Sequence, residues 1–371
     1  MHSNGVALDT YALCSSLTAS SCNQNTSFGK QVHTHVKKRG WSTSVFVSSA
    51  LIDLYAKSLL VNDAEQLFDE IPVRNTVCAN ALLSGYAEAK MWLKGLELVR
   101  KMPELNLECD NFTLSAALCA CAGLSAIELG RQVHGNMFRR VADVRADVFL
   151  QSSLIEMYGK CGLIHKARHI FSMAGIRHEG GGKRDVVLWT SMLGVYGRNG
   201  NHKEVIGLFK EMVREGIRPD GVAFVTVISA CGHTGQVNLG IEYFKSMARD
   251  FGLDPSPEHY SCLVALLCRA GELDEAWKLL NEMPHNGDDS YTVSTWGALL
   301  SACIDHGNVD LGKLAAQRAL QLDPRNVGIF VLISNMYAKH GLWNEIGQLR
   351  EVMQERGLKK DGGWSWIEVT R

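Results

Sequence analysis

The chain has 371 residues, 46% of them apolar and 21% charged, which excludes a disordered or collagen-like polymer. Its 38 basic side chains stand against 39 acidic ones, a formal net charge of −1, so electrostatics alone argues for no nucleic-acid partner. No apolar run approaches the ~18 residues of a membrane span, and no Pro/Ser/Gly-rich stretch is long enough to be a linker, which points to one continuous array without a membrane segment.

In chain order, the start (Met1-His2-Ser3-Asn4-Gly5-Val6-Ala7-Leu8-Asp9) has no arginine and no apolar core, so it reads as neither a transit peptide nor a secretory signal. Gly29-Lys30-Gln31-Val32-His33 follows, and it recurs 101 residues later as Gly130-Arg131-Gln132-Val133-His134. Between them, Ala50-Leu51 with Leu54-Tyr55, then Ala64 with Leu67-Phe68 and Ile71, place apolar residues three and four apart, the spacing of two helices. From Tyr158 onward the turn between such segments repeats. It closes on Gly162, Gly200, Gly235, Gly271, Gly307 and Gly341, separated by 38, 35, 36, 36 and 34 residues, and a glycine there suits a helix C-terminus. A second periodic marker pairs a large apolar residue with Ile or Met, as in Phe68-x-x-Ile71, Phe209-x-x-Met212 and Phe244-x-x-Met247. All seven prolines fall between predicted units and interrupt no predicted helix.

The predicted fold is therefore all-α: helix-turn-helix units that cannot bury their apolar faces alone and must stack into an α-solenoid superhelix with a concave groove. The periodic aromatic and methionine side chains are its stacking core. Eleven scattered cysteines without any Cys-x-x-Cys fit reduced thiols acting as small hydrophobes, with no zinc knuckle or redox site.

A period of 34 to 36 residues with two helices is shared by peptide-binding and RNA-binding solenoids. Segments 76–110 and 186–220, the latter running from Val186-Val187-Leu188-Trp189-Thr190 to Gly216-Ile217-Arg218-Pro219-Asp220, closely resemble complete pentatricopeptide repeats. The tetratricopeptide Trp-x-x-Leu-Gly-x-x-Tyr pattern is absent. Unit lengths also vary in a fixed order. Short units 45–75 and 148–185, standard units 76–110 and 186–220, and long units 111–147 and 221–256 resemble the plant PLS class, and 257–288 resembles a final short unit. Trp296-Gly297-Ala298-Leu299-Leu300, Ile333-Ser334-Asn335-Met336-Tyr337 and Trp364-Ser365-Trp366-Ile367-Glu368-Val369 resemble the C-terminal E region of that class. The implied organisation is a partial N-terminal long repeat over 1–44, a repeat array over 45–288 and an E region of two degenerate units over 289–371. Two departures stand out: an insertion over 177–184 and extra residues around 290–294. Because the first long unit starts almost at Met1, upstream repeats and a targeting peptide are expected to be missing from this sequence.

In the family this chain resembles, the fifth and last residues of a unit bond the edge of one base, and an apolar second residue packs between bases. Carried over, the base-reading pairs are Ser49 with Asn75, Asn80 with Asp110, Ser152 with Asp185, and Thr190 with Asp220; the family code reads them as A, U, G and G. The Asn80 amide, donor and acceptor together, suits a pyrimidine edge, and the Asp220 oxygens can accept from guanine. Phe46, Val77, Phe149 and Val187 are the implied base-sandwiching residues. The bland alternative is that the polar residues at these places are helix caps. Ser115 and Val225, fifth in the long units, receive no base. Lys37, Lys38, Arg39, Arg139 and Arg140 could meet phosphate, although a solvated helix end is their simpler role.

Catalytic chemistry has no residues to carry it. The His202-Lys203-Glu204 triplet lacks the cysteine pair of a zinc deaminase, and Gly180-Gly181-Gly182-Lys183 lacks the rest of a phosphate loop. No cofactor or metal is implied. The resemblance implies a non-enzymatic, sequence-specific single-stranded RNA-binding protein: a site-recognition factor for C-to-U RNA editing in a plant organelle, mitochondrion slightly ahead of chloroplast, whose E region recruits a DYW-type cytidine deaminase on another chain. The alternatives are an organellar splicing or stability factor and a tetratricopeptide-like protein scaffold.

Overall fold

Asp or Asn stands just before the first helix of successive units, and its side chain closes that helix's first turn. Asp9 accepts from Ala12 N at 2.7 Å, Asn75 from Cys78 N at 2.9 Å, Asp110 from Thr113 N at 2.8 Å, Asp147 from Leu150 N at 3.0 Å and Asp220 from Ala223 N at 2.8 Å. Each such cap satisfies one of the orphan N–H groups of a helix start and contributes about 1 kcal/mol.

A computed structural model describes residues 9–23, 25–41, 44–140, 147–174, 184–283 and 289–359. The start at 1–8, nearly all of the insertion with its glycine run at 180–183, and the tryptophan motif at 364–369 lie outside the described residues. Among the described residues the chain forms twenty helices and no strand, the all-α hairpin repeat expected from the periodicity.

Two compact units divide the chain, Met1–Asn199 and Gly200–Arg371. The first holds α1 (Thr10–Cys22) with α2 (Thr26–Lys38), α3 (Val45–Lys57) with α4 (Val61–Glu70), α5 (Thr76–Glu88) with α6 (Trp92–Lys101), α7 (Asn111–Gly123) with α8 (Ile127–Arg140), α9 (Val148–Lys160) with α10 (Ile164–Met173), and α11 (Val186–Arg198). The second holds α12 (His202–Arg214), α13 (Gly221–Thr234) with α14 (Val237–Phe251), α15 (Pro257–Ala270) with α16 (Leu273–Glu282), α17 (Asp289–His306) with α18 (Val309–Leu322), and α19 (Val327–Lys339) with α20 (Trp343–Glu355).

Within each unit the first helix of a hairpin stacks on the first helix of the next: α1 on α3, α3 on α5, α5 on α7, α7 on α9 and α9 on α11, then α13 on α15, α15 on α17 and α17 on α19. The second helices fill the gaps between successive first helices, and second helices meet one another at the surface through ion pairs such as Lys37–Glu70 and Lys94–Glu65. This geometry explains two kinds of helix sequence. A first helix has neighbours on several sides and reads as apolar nearly all round, as in the Asn-Phe-Thr-Leu-Ser-Ala-Ala-Leu start of α7. A second helix has one covered side and is strongly amphipathic, as in α12, where Val205, Ile206, Leu208, Phe209 and Met212 are buried and the charged residues point away.

The periodic aromatics form the core as expected. Phe171 meets Trp189 edge-on with centroids 5.0 Å apart, and Phe209 sits between Phe224 and Tyr243 at 5.2 and 5.0 Å. Burying one such ring stabilises by about 1.5–3 kcal/mol, with a smaller gain from the edge-to-face geometry. All eleven cysteines are free thiols. Burial pushes Cys121, Cys231 and Cys303 up to about 11 and Cys268 up to about 12, so these stay protonated and pack as hydrophobes.

The six turn glycines named above all adopt the left-handed conformation, with φ between 70° and 81°. In three earlier hairpins Leu59, Lys90 and Ser125 hold the same place at φ 58°, 56° and 53°. The turn geometry is thus kept where its preferred residue is missing, at a cost of about 1–2 kcal/mol for a side chain in this region. Gly29 and Gly130 serve a different need. A Cβ on Gly29 would lie 2.4 Å from Leu54 Cδ2, and one on Gly130 would lie 2.5 Å from Met157 Sδ, so the recurring motif marks where a second helix closes onto the next first helix.

Candidate nucleic-acid interface

The second residue of each capped first helix points outward. Phe46, Val77, Phe149 and Val187 are all exposed large apolar side chains, and so are Tyr11, Phe112 and Val222 at the same place in α1, α7 and α13; together they range from 37% to 83% exposed. In α15 and α19 that place holds Glu258 and Gly328, so the apolar row stops after α13. A recurrent exposed ring or branched side chain in otherwise buried helices is the unusual observation here, because isolated surface hydrophobics need no explanation but a register of them does. Sequence reasoning named four of the seven. Tyr11, Phe112 and Val222 were legible by the same rule, as the second residue after an Asp, had the long and first units been aligned on their caps.

The fifth residues lie one turn further along each helix and are more sheltered. Ser49 Oγ donates to Val45 O at 2.8 Å, Thr190 Oγ1 to Val186 O at 2.6 Å, and Ser152 Oγ to Phe149 O at 2.9 Å. With its proton committed to the helix's own carbonyl, each hydroxyl presents its oxygen as an acceptor. Ser152 is buried, whereas Ser49 and Thr190 are half-buried.

The last residues of the units are helix caps, so the bland role holds for their geometry. Asn75 Oδ1 caps α5, Asp110 caps α7, Asp185 accepts from Val187 N at 2.8 Å, and Asp220 caps α13. The pairs differ in whether the structure joins them. Asn80 Nδ2 donates to the Asp110 carboxylate, 3.1 Å from Oδ1 and 2.9 Å from Oδ2. Ser49 and Asn75 bond within their own helices, as do Ser152 and Asp185. Thr190 belongs to the first compact unit and Asp220 to the second, and each bonds within its own helix.

Of the cations named above, Lys37 faces Glu70 at 3.7 Å on the surface, a pairing worth little in water. The Arg140 side chain lies outside the described residues. Among the described residues no group of three or more His, Cys, Asp or Glu could hold a metal ion, and no helix is long and apolar enough to cross a membrane. The arrangement offers apolar side chains beside hydrogen-bonding ones, at one repeat each.

Models of the pentatricopeptide repeat match residues 46–75, 77–107, 152–173, 184–233, 222–250 and 251–284, and the E motif matches residues 306–368. The chain belongs to the pentatricopeptide repeat family. The matched E motif includes α18 to α20, and the alternation of unit lengths agrees with the PLS class. Among relatives from Arabidopsis thaliana, the chain is 37% identical over 365 residues to the chloroplastic pentatricopeptide repeat-containing protein CRR2, covering 98% of this chain and 53% of the relative. It is likewise 37% identical over 368 residues to a putative mitochondrial pentatricopeptide repeat-containing protein, covering 99% of this chain and 57% of that one. The chain thus spans about half the length of these relatives. Among solved structures, the pentatricopeptide repeat protein PPR10 in complex with an 18-nt psaJ RNA element superposes with a TM-score of 0.70 at 16% identity, covering 96% of this chain and 52% of that one. That likeness shows the fold: this chain is an α-solenoid of pentatricopeptide repeats.

Proposed function

We propose that this chain binds single-stranded RNA in a fixed register and serves as a site-recognition factor for C-to-U editing in a plant organelle. One observation carries the RNA part of this reading: the row of exposed apolar second residues, each followed at the fifth place by a polar group, in five consecutive first helices from α3 to α11. Bases can stack against such side chains while their edges meet the polar groups. The PPR10 complex with RNA, built on the same fold, supports the assignment.

In this reading the array over 45–288 holds the RNA, after a partial long repeat over 1–44. Ser49 with Asn75, Asn80 with Asp110, Ser152 with Asp185 and Thr190 with Asp220 read A, U, G and G, and a long unit leaves one nucleotide unread. The E region over 289–371 recruits a cytidine deaminase carried by another chain, which supplies the chemistry; the sequence here has no Cys-x-x-Cys to join a His-x-Glu in holding the zinc that would activate water for attack on cytosine. The relatives' names divide between chloroplast and mitochondrion, so an organelle is the compartment the family supports.

The test is binding to single-stranded RNA bearing A-U-x-G-G against scrambled RNA, duplex RNA and DNA. Preference for the ordered single strand is expected, and exchanging Thr190→Asn should move its nucleotide from G toward U. Equal affinity for all four ligands would refute the reading.

A further inference from the structure

The third residue of each first helix from α3 to α15 points into the core. It is Val47, Cys78, Leu150, Leu188 and Ala223 in α3, α5, α9, α11 and α13, all buried and none carrying a hydroxyl, and the buried His259 in α15. In α7 it is Thr113, which is fully buried and polar. A buried hydroxyl needs a partner, because leaving one unbonded costs about 1–3 kcal/mol. Thr113 Oγ1 has two: Asn80 Oδ1 at 2.7 Å and Asp110 Oδ1 at 2.9 Å. Its single proton serves these two acceptors, and Asn80 Oδ1 is the nearer of them.

This contact meets a need that the other fifth residues lack. Ser49, Ser152 and Thr190 donate to carbonyls of their own helix. An asparagine amide has no hydroxyl to turn back in that way, and its two ends look alike in shape but opposite in hydrogen-bonding sense. Here both ends are held. The Asp110 carboxylate takes an N–H from Nδ2, and the buried Thr113 hydroxyl draws Oδ1 toward the interior. Asp110 is itself fixed by accepting from Thr113 N at 2.8 Å. Asn80 is half-buried, and what remains for a ligand is the second N–H of Nδ2.

We infer that Thr113, the third residue of the following unit, is a specificity-determining positioning residue: it locks the Asn80 amide so that a donor faces the base and a uracil is chosen over a cytosine. The inference rests on the proposed reading of Asn80 and Asp110 as one base-reading pair. Uracil offers a carbonyl acceptor where cytosine offers an amino donor, so an inward oxygen and an outward N–H favour uracil. An amide released to turn over would present its oxygen instead and accept from cytosine.

The test measures affinities of the full chain for four single-stranded RNAs that differ only in the nucleotide opposite Asn80. Thr113→Val keeps the shape and removes the hydroxyl, Thr113→Ala removes it with a smaller side chain should the valine variant fold poorly, and Thr113→Ser keeps it. In the valine and alanine variants the uracil-over-cytosine ratio should narrow by roughly 3- to 10-fold, the ratio set by one neutral hydrogen bond, with selectivity at the other nucleotides unchanged; the serine variant should retain the ratio. A uniform loss of affinity for all four RNAs, or an unchanged ratio in a folded variant, overturns the inference. A parent chain with no preference at that nucleotide overturns the base-reading assignment, and the inference with it. A parent that discriminates while the valine variant discriminates equally removes only the role of Thr113.

Discussion

The Tyr55 hydroxyl stands 2.9 Å from His33 Nδ1 with the rings edge to face at 5.6 Å, and Tyr158 and His134 repeat the contact at the same two distances. Each histidine ends the recurring Gly-x-Gln-Val-His motif of a second helix, and each tyrosine lies on the next first helix, so the motif is a clasp between successive units of the array. Burial raises the affinity of both phenols for their protons, which lets the hydroxyl donate to a neutral imidazole.

The clasp makes stability depend on pH. Burial lowers the His33 pKa, helped by Lys37 and opposed by Glu70 and Asp63, and burial with Lys166 lowers that of His134. The unfolded chain then binds more protons than the folded one as pH falls below the ordinary histidine value of about 6.5, so this contribution is full above that pH and is lost toward the folded pKa values. Thermal melts should shift down between pH 7.5 and pH 5. Replacing both histidines with glutamine should flatten that slope, the remainder arising from His233, which is also lowered by burial.

The left-handed turns give a second prediction. Leu59→Gly should be neutral to stabilising by up to about 1 kcal/mol, the relief of about 1–2 kcal/mol of backbone strain less the greater freedom of glycine in the unfolded chain. Gly162→Ala should destabilise by about 1 kcal/mol although a Cβ there meets nothing within 4 Å, because the penalty is conformational. Urea midpoints of the two variants moving in the same direction would contradict this.

Core substitutions should be costly in a graded way. Phe209→Leu should lose about 1–2 kcal/mol through a poorer fit against Phe224 and Tyr243, whereas Phe209→Asp places a charge among those rings and should lose more than about 4 kcal/mol. Circular dichroism melts would show a small and a large shift respectively.

The exposed row should matter to RNA and not to folding. Phe149→Ala is expected to weaken RNA binding by about 1–3 kcal/mol, the range for loss of one stacking contact, with an unchanged melting temperature because the ring lies in solvent. Phe112→Ala asks the same of a long unit, and a comparable loss there would show that long units also hold RNA. A melting temperature that falls with either variant would instead make the side chain part of the packing.

For editing, the chain alone should convert no cytidine on its own target, even with zinc supplied. Adding a partner deaminase should give conversion, and deleting residues 327–371 should abolish it while leaving RNA binding nearly intact. Conversion by the isolated chain, or undiminished conversion after the deletion, would overturn recruitment through the E region.

By itself the sequence determined what depends on short-range chemistry. A helix start needs an Asp or Asn at one place, a tight turn favours glycine at another, and burial imposes apolar spacing of three and four, so Asp110, Gly162 and Phe209 could be placed without coordinates. Even the left-handed turns at Leu59, Lys90 and Ser125 follow from their alignment with the glycines, although no local rule would choose those residues. Only the tertiary structure decided which side chains of successive units face one another: His33 on Tyr55, Gly29 against Leu54, and Thr113 on Asn80. Those contacts join residues 22 to 33 positions apart, across an interface whose register is set by the stacking of whole helices, and helical periodicity says which face is buried without saying what lies opposite. The same reason hid the sheltered position of Ser152 and the direct bond between Asn80 and Asp110, which depend on how closely one first helix settles on the next.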